Sequence, residues 1–268
     1  APAQKRKWQL KNDISAYPSY SSGLRLAEAM HNMSLDELEM LTTQEGTFDT
    51  GKKWPGVWTR DISYSALLSL AMLAPGRTQN SLLKKIKNGR IIQDTGTGGS
   101  YPVSTDRVVW AIAAWEVYKV TGDNAWLEKI FPVIKKSLNE DLLNAYNSEI
   151  HLFRGESSFL DWREQTYPRW MGPADIYASY SLGTNAVFYR ALDVFSRMGN
   201  ILGKETSKYQ EIAQDLKQSL NTLLWDSKRG YYGQYLYGRH YPVFSERSEA
   251  LGESLMVLFN ATKDSLRA

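Results

Sequence analysis

The chain contains no cysteine among its 268 residues, which removes disulfides, thiolate nucleophiles and cysteine-based metal sites together. Three histidines (His31, His151, His240) are too few to argue for a zinc centre, so no metal and no cofactor is expected. A strong charge of one sign is also missing. Lys+Arg 32 against Asp+Glu 29 leaves +3, too little to argue for nucleic acid or an anionic membrane as partner. The local Lys5-Arg6-Lys7 run reads as a solvated terminus. No apolar run approaches the roughly 18 residues that suggest a membrane span, and the longest, at 67–74, is helix-sized. Chemistry must therefore rest mainly on carboxylates, Arg, Lys, Tyr and Ser. What is plentiful is aromatic: Trp 9, Tyr 16 and Phe 8 make up 12% of the chain, and rings in that number suit a thick core or a concave sugar-binding surface.

Hydrophobic residues at 43% and charged residues at 23% describe an ordinary globular chain. At about 150 residues per domain, the length fits one large domain or two small ones, and a single domain over 1–268 with an N-terminal extension at 1–20 is the expectation. The first residue is Ala1 and not Met, so a removed initiator or signal peptide, or a late start, is expected, and a polysaccharide-type substrate would add a periplasmic or extracellular location.

Helical periodicity dominates. Leu24, Leu26, Ala27, Met30 and Met33 begin an amphipathic stretch, and Ser34-x-x-Glu37 predicts a capping box that restarts the helix. Residues 61–73 are apolar on most faces, with Pro75-Gly76 as the stop. Thr105 and Asp106 predict the cap of a helix to about Val120, ended by Thr121-Gly122-Asp123. A helix is predicted at 124–146 despite Pro132, which should begin or kink it. Further helices are predicted at 182–202, 207–224 and 246–259. Long aromatic and polar loops lie between them, and alternation from Gly230 predicts a small β-hairpin at 230–237. Helices joined alternately by short and long connections predict an all-α solenoid or closed toroid of helical hairpins, with the long loops, and the function, gathered at one end.

Three loops carry candidate chemistry. Val57-Trp58-Thr59-Arg60-Asp61 opens a helix, where an Arg-Asp pair can grip neighbouring hydroxyls and a Trp can face a sugar ring. Alternatively, Asp61 caps the helix and Arg60 pairs with a nearby carboxylate. Residues 155–171 hold Glu156, Asp161, Trp162, Arg163, Glu164, Arg169 and Trp170. Glycoside hydrolysis needs a carboxylic acid to protonate the leaving oxygen, and a carboxyl against Trp can have its pKa raised for that role. Alternatively, Arg163 and Arg169 neutralise those carboxylates in a structural loop. Ser104-Thr105-Asp106-Arg107 is a third candidate, although capping alone accounts for it, and at least one of Trp110 and Trp115 belongs to the core. Glu246, Glu249 and Glu253 read as one solvated or capping stripe.

Trp58-Thr59-Arg60-Asp61 resembles the Trp-x-Arg-Asp signature of the six-hairpin glycosidases, the (α/α)6 toroids that include glucoamylase, trehalase, processing α-glucosidase and α-L-rhamnosidase. Glu156-Ser157-Ser158-Phe159-Leu160-Asp161 resembles the Glu-Ser-Gly-x-Asp acid motif of trehalases with one residue more, and Trp162-Arg163-Glu164 is similar to the Trp-Glu acid loop of glucoamylases. The resemblance implies a hydrolase that removes a terminal sugar from an oligo- or polysaccharide with inversion. It assigns the general acid to Asp161 or Glu164, Asp161 first. Sugar hydroxyls would fall to Arg60 and Asp61, and the pocket lining to Trp58, Asp106, Glu156, Trp162 and Arg163. A non-catalytic carbohydrate-binding toroid is the alternative. Twelve helices with loops need roughly 300 to 400 residues, and about seven or eight are legible. The resemblance thus implies an N-terminal portion that lacks the partner carboxylate and is expected to self-associate or to need a C-terminal portion.

Overall fold

The computed structural model describes residues 8–94, 101–157, 167–238 and 240–264. Helices form two rows. An inner row begins with α2 (Thr59–Ser65), which runs through a π-helical stretch (Ala66–Leu70) into α3 (Ala71–Leu73). It continues with α5 (Val109–Thr121), α8 (Leu182–Leu202) and α10 (Ala250–Leu258), each packed against the one before it. An outer row consists of α1 (Arg25–Met40), α4 (Pro75–Leu83), α6 (Asn124–Asn144) and α9 (Ser207–Leu223). Helix α5 is apolar on most faces and buried on all of them over its first two turns, whereas α9 buries one stripe, as neighbours on both sides or on one side require. The short α7 (Pro173–Tyr177) lies in the loop before α8.

The two kinds of connection sit at opposite ends. Inner helices pass to outer ones through Ala74 alone, through Gly122-Asp123, or through 203–206. Gly122 and Gly203 close their helices with left-handed φ of 65° and 62°, and the Asp123 carboxylate caps α6 by accepting from Ala125 N at 2.9 Å. Outer helices return through short antiparallel ladders: β1 (Ile86–Lys87) with β2 (Arg90–Ile91), β3 (Tyr146–Asn147) with β4 (Leu152–Phe153), and β6 (Trp225–Asp226) with β7 (Tyr231–Tyr232). Ile91, Phe153 and Tyr232 are fully buried, so each return plugs the core with an apolar side chain. Phe153 stacks on Phe188 of α8 with centroids 3.7 Å apart.

A second ladder crosses the long-loop end. Ser104 bridges Glu156, Gly155 bridges Tyr180, and β5 (Tyr180–Ser181) pairs with β8 (Tyr235–Tyr237), which pairs with β9 (Val243–Phe244). These segments precede α5, α8 and α10, so the ladder sets the inner-helix N-termini in register.

Several details depart from the sequence expectations. Helix α1 is continuous through Ser34, whose hydroxyl donates to Met30 O four residues back; a capping box needs a non-helical backbone there. Pro75-Gly76 opens α4, with Pro at the first helical position where its missing N–H costs nothing. Pro132 lies inside α6. Asp106 opens a 3-10 turn (Asp106–Val108) with no side-chain cap, and Thr105 donates to Arg154 O instead. The hairpin expected at 230–237 divides: Tyr231 and Tyr232 pair back with β6, while 235–237 joins the three-stranded sheet. The break falls at Gly233, where a Cβ would lie 2.4 Å from Phe244. The expectation that at least one of Trp110 and Trp115 belongs to the core holds for both, with Trp110 Nε1 donating to Leu82 O at 2.9 Å.

Candidate active site

The site is built where the inner helices begin. Trp58 occupies the N-cap position of α2 in extended conformation, and Arg60 follows in the first turn with only 12% of its side chain exposed. Tyr64, one turn on, shares that face. Its phenol is driven well above the ordinary tyrosine range, first by burial and then by the nearby charges of Asp106 and Glu249, with Arg60 opposing. Charges from α2, from the turn before α5 and from the N-cap residue of α10 therefore act on one ring.

Asp106 is 1% exposed. Its Oδ1 accepts from Gln93 Nε2 at 3.0 Å and its Oδ2 accepts from Ser157 Oγ at 3.2 Å. Ser157 follows Glu156, itself 2% exposed and held in the ladder by its own N–H to Val103 O at 2.9 Å. Gly155 makes this approach possible: its φ is +104°, and a Cβ there would lie 2.7 Å from Thr105 Oγ1. Beyond Glu156 lies Tyr167, whose phenol is also pushed well up, by burial and then by the Glu156 charge. Tyr167 stacks on Tyr235 at 4.4 Å, and the exposed Trp170 lies 6.3 Å from Tyr237.

The predicted residues fall into three groups. Trp58, Arg60, Asp106 and Glu156 stand at this end of the molecule, linked through Tyr64 and Ser157. Asp61 pairs with Arg60 Nε at 3.5 Å but also lines a neighbouring cavity of about 370 Å³ between α1 and α2, with Leu35, Leu38, Phe48, Ile62 and Leu70. Asp161, Trp162, Arg163 and Glu164 lie outside the described residues. Among the described residues, no group of three or more His, Asp or Glu side chains is arranged to hold a metal ion, and no helix is long and apolar enough to cross a membrane.

Sequence reasoning missed Tyr64, Gln93, Tyr167 and Tyr235. Tyr64 was findable, since it lies four residues after Arg60 in a predicted helix. The glutamates near the C-terminal side do not form one stripe. Glu249 caps α10 by accepting from Gly252 N, Glu253 accepts from Tyr232 N, and Glu246 pairs with Arg229.

Residues 87–251 match the family model described as bacterial alpha-L-rhamnosidase six-hairpin glycosidase domain. The GH78 rhamnosidase of Bacillus sp. GL1 is 17% identical with a TM-score of 0.60, over 86% of this chain and 24% of that one. The rhamnosidase from Klebsiella oxytoca with rhamnose bound is 14% identical with a TM-score of 0.63, over 94% of this chain and 47% of that one. The GH63 mannosylglycerate hydrolase from Thermus thermophilus is 14% identical with a TM-score of 0.63, over 85% of this chain and 72% of that one. The chain thus spans about a quarter of the Bacillus enzyme's length and less than half of the Klebsiella enzyme's. At these identities the likeness is one of fold. No curated protein sequence matches the chain.

Proposed function

Because the chain belongs to the bacterial alpha-L-rhamnosidase six-hairpin glycosidase domain family, we propose that it acts in hydrolysis of a terminal glycosidic bond by general acid catalysis with inversion. The carrying observation is the bond from Ser157 Oγ to Asp106 Oδ2 at 3.2 Å, next to the buried Glu156, with the charges of Arg60, Asp106 and Glu249 all acting on Tyr64 of α2. Buried carboxylates beside one guanidinium and aromatic rings suit a sugar: acceptors and donors for its hydroxyls, and a flat face for its C–H surface. Arg60, Asp61 and Asp106 hold hydroxyls in this proposal, while Trp58, Glu156, Trp162 and Arg163 line the pocket.

In this proposal the acid is Asp161 first and Glu164 second, in the stretch of chain that follows Ser157. The acid gives its proton to the glycosidic oxygen as the bond to the anomeric carbon breaks, and a water attacks from the opposite face. That water needs a separate carboxylate as base, which is not assigned among these residues. An oligo- or polysaccharide is the substrate class, and export to a periplasmic or extracellular space fits it.

The test is Asp161→Asn and Glu164→Gln, assayed on 4-nitrophenyl glycosides including the α-L-rhamnoside, and on mannosylglycerate. One substitution is expected to reduce turnover by about 10²- to 10⁴-fold. Full activity in both overturns the acid assignment. Glycan binding without turnover on any substrate identifies a carbohydrate-binding toroid instead.

A further inference from the structure

Residues 91–94 form a strap that touches both halves of the candidate site. Ile91, fully buried, anchors it: Ile91 N donates to Ser137 Oγ at 2.9 Å on α6. Ile92 O accepts from Thr59 Oγ1 at 2.9 Å. Gln93 faces the other way and uses both ends of its amide. Its Oε1 accepts from Arg107 N at 2.8 Å, and its Nε2 donates to Asp106 Oδ1 at 3.0 Å. Asp94 turns back to α2: its Oδ2 accepts from Thr59 N, while its Oδ1 meets Lys85 Nζ at 2.7 Å. The same ammonium donates to Val57 O at 2.8 Å.

Trp58, the N-cap residue of α2, makes no side-chain cap bond. Asp94 supplies that acceptor from 35 residues away, and a carboxylate at a helix N-terminus also complements its dipole. Lys85 fixes the carboxylate with 12% and 18% of the two side chains exposed, so the cap is held by a shielded ion pair. Amide orientation at Gln93 is dictated by its neighbours, because only the oxygen can face Arg107 N–H and only the nitrogen can face a carboxylate.

We infer that the strap is the positioning element of the site: Gln93 aims the Asp106 carboxylate, and Asp94 with Lys85 sets the start of α2 and so the pose of Arg60. The inference deepens the proposed function and rests on Asp106 and Arg60 touching the sugar. Neither Gln93 nor Asp94 needs to contact it. A positioning group acts on affinity for the substrate through another side chain, so the expected signature is a raised KM in a protein that still folds.

The experiment pairs Gln93→Met, which keeps length and loses both polar ends, with Gln93→Glu, and uses Asp106→Asn as reference. Activity is measured on whichever 4-nitrophenyl glycoside the parent chain turns over, and crystal structures of parent and Gln93→Met are compared. Gln93→Met is expected to rotate or shift the Asp106 carboxylate and to lower kcat/KM by about tenfold or more, mostly through KM, as loss of a hydrogen bond to a charged group implies. Gln93→Glu carries its own readout. While protonated, the introduced carboxyl can accept from Arg107 N and donate to Asp106; once ionised it repels Asp106. Its activity should therefore fall at high pH along a limb that the parent lacks. A Gln93→Met structure with Asp106 unmoved, or a Gln93→Glu pH profile superimposable on the parent's, overturns the inference. Failure of the functional reading looks different: Asp106→Asn then leaves KM unchanged, or the parent turns over no glycoside, while the crystal comparison still decides whether Gln93 holds Asp106. Asp94→Asn, which keeps an acceptor for Thr59 N, is expected to retain more activity than Asp94→Ala; equal loss in both rules out the capping role.

Discussion

The same helices end in two different ways. At the short-turn end they stop on left-handed glycines and an aspartate cap, with solvent for the remaining polar groups. At the long-loop end Ser104, Thr105, Asp106, Glu156, Ser157, Ser179 and Gln234 are all nearly inaccessible. Burying polar groups is costly unless each is partnered, so a fold does not do so merely to reverse direction. The strap supplies a partner for the Asp106 carboxylate and the second ladder supplies partners for the backbone of Thr105 and Glu156, so what they hold in place is a set of carboxylates. One end terminates helices and the other positions side chains.

Asp106 and Arg107 bring the contrast down to adjacent residues. Asp106 meets an amide and a hydroxyl at the long-loop end. Arg107 turns inward, where one Nη lies 2.8 Å from Asp141 and 2.8 Å from Glu140, the other donates to Ile91 O, and the guanidinium sits over Tyr101. Arg107→Met leaves the buried Asp141 without its cation and should cost about 3–5 kcal/mol in denaturant unfolding. Asp106→Asn keeps shape and an acceptor, and is expected within about 1 kcal/mol of the parent while glycoside turnover or binding falls. Equal destabilisation by the two would break the distinction between a structural and a functional charge.

Asp141 adds a pH dependence to that structural charge. Burial raises its pKa to about 7 against the pull of Arg107. Between its ordinary value of 3.8 and about 7 the folded chain keeps a proton that the unfolded chain has released. The stability this proton represents is full below that window and is lost as pH rises through it. Thermal melts of the parent should decline from about pH 5 to about pH 8 more steeply than those of Asp141→Asn. Parallel curves would mean that Asp141 stays ionised against Arg107 throughout.

Glycine substitutions compare the ends directly. Gly155→Ala places a Cβ against Thr105 and Val103 O in a left-handed backbone, so about 2–3 kcal/mol is expected, with Glu156 displaced and activity reduced. Gly122→Ala meets no atom within 4 Å and suffers only its φ of +65°, about 1 kcal/mol, with activity unchanged. The difference between the two, read by chemical denaturation and one activity assay, measures how much the long-loop end depends on close packing.

Much of the inner and outer rows was legible because their signals are local. Apolar periodicity predicted α8 and α9 almost to the residue, and Gly122-Asp123 marked the turn between α5 and α6. Pro75-Gly76 was ambiguous for a physical reason: proline suits the residue after one helix and the first residue of the next, and packing of α4 on α5 decides it. At the site, Trp58-Thr59-Arg60-Asp61 and Asp106 were visible as motifs at helix starts. Gln93 and Asp94 were not, since a strap has no periodicity and their partners lie 9 to 35 residues away. Glu249 was legible as a cap, but its proximity to Tyr64 depends on α8 and α10 packing closely, where Gly183 and Gly252 face each other.

The smallest expected effect belongs to the short-turn end. Asp123 accepts from Ala125 N at 2.9 Å, is exposed, and lies at the opposite end of the helices from the candidate site. Asp123→Ala removes one helix cap and should cost about 1 kcal/mol. Because α6 is also held by its buried face, including Trp126, Leu127, Ile130 and Ile134, the loss should fray the first turn without moving Asp141 at the other end. Hydrogen exchange at residues 125–127 should therefore accelerate while turnover and the pH dependence of melting stay as in the parent. A change in either of the latter would show that the two ends are coupled through α6.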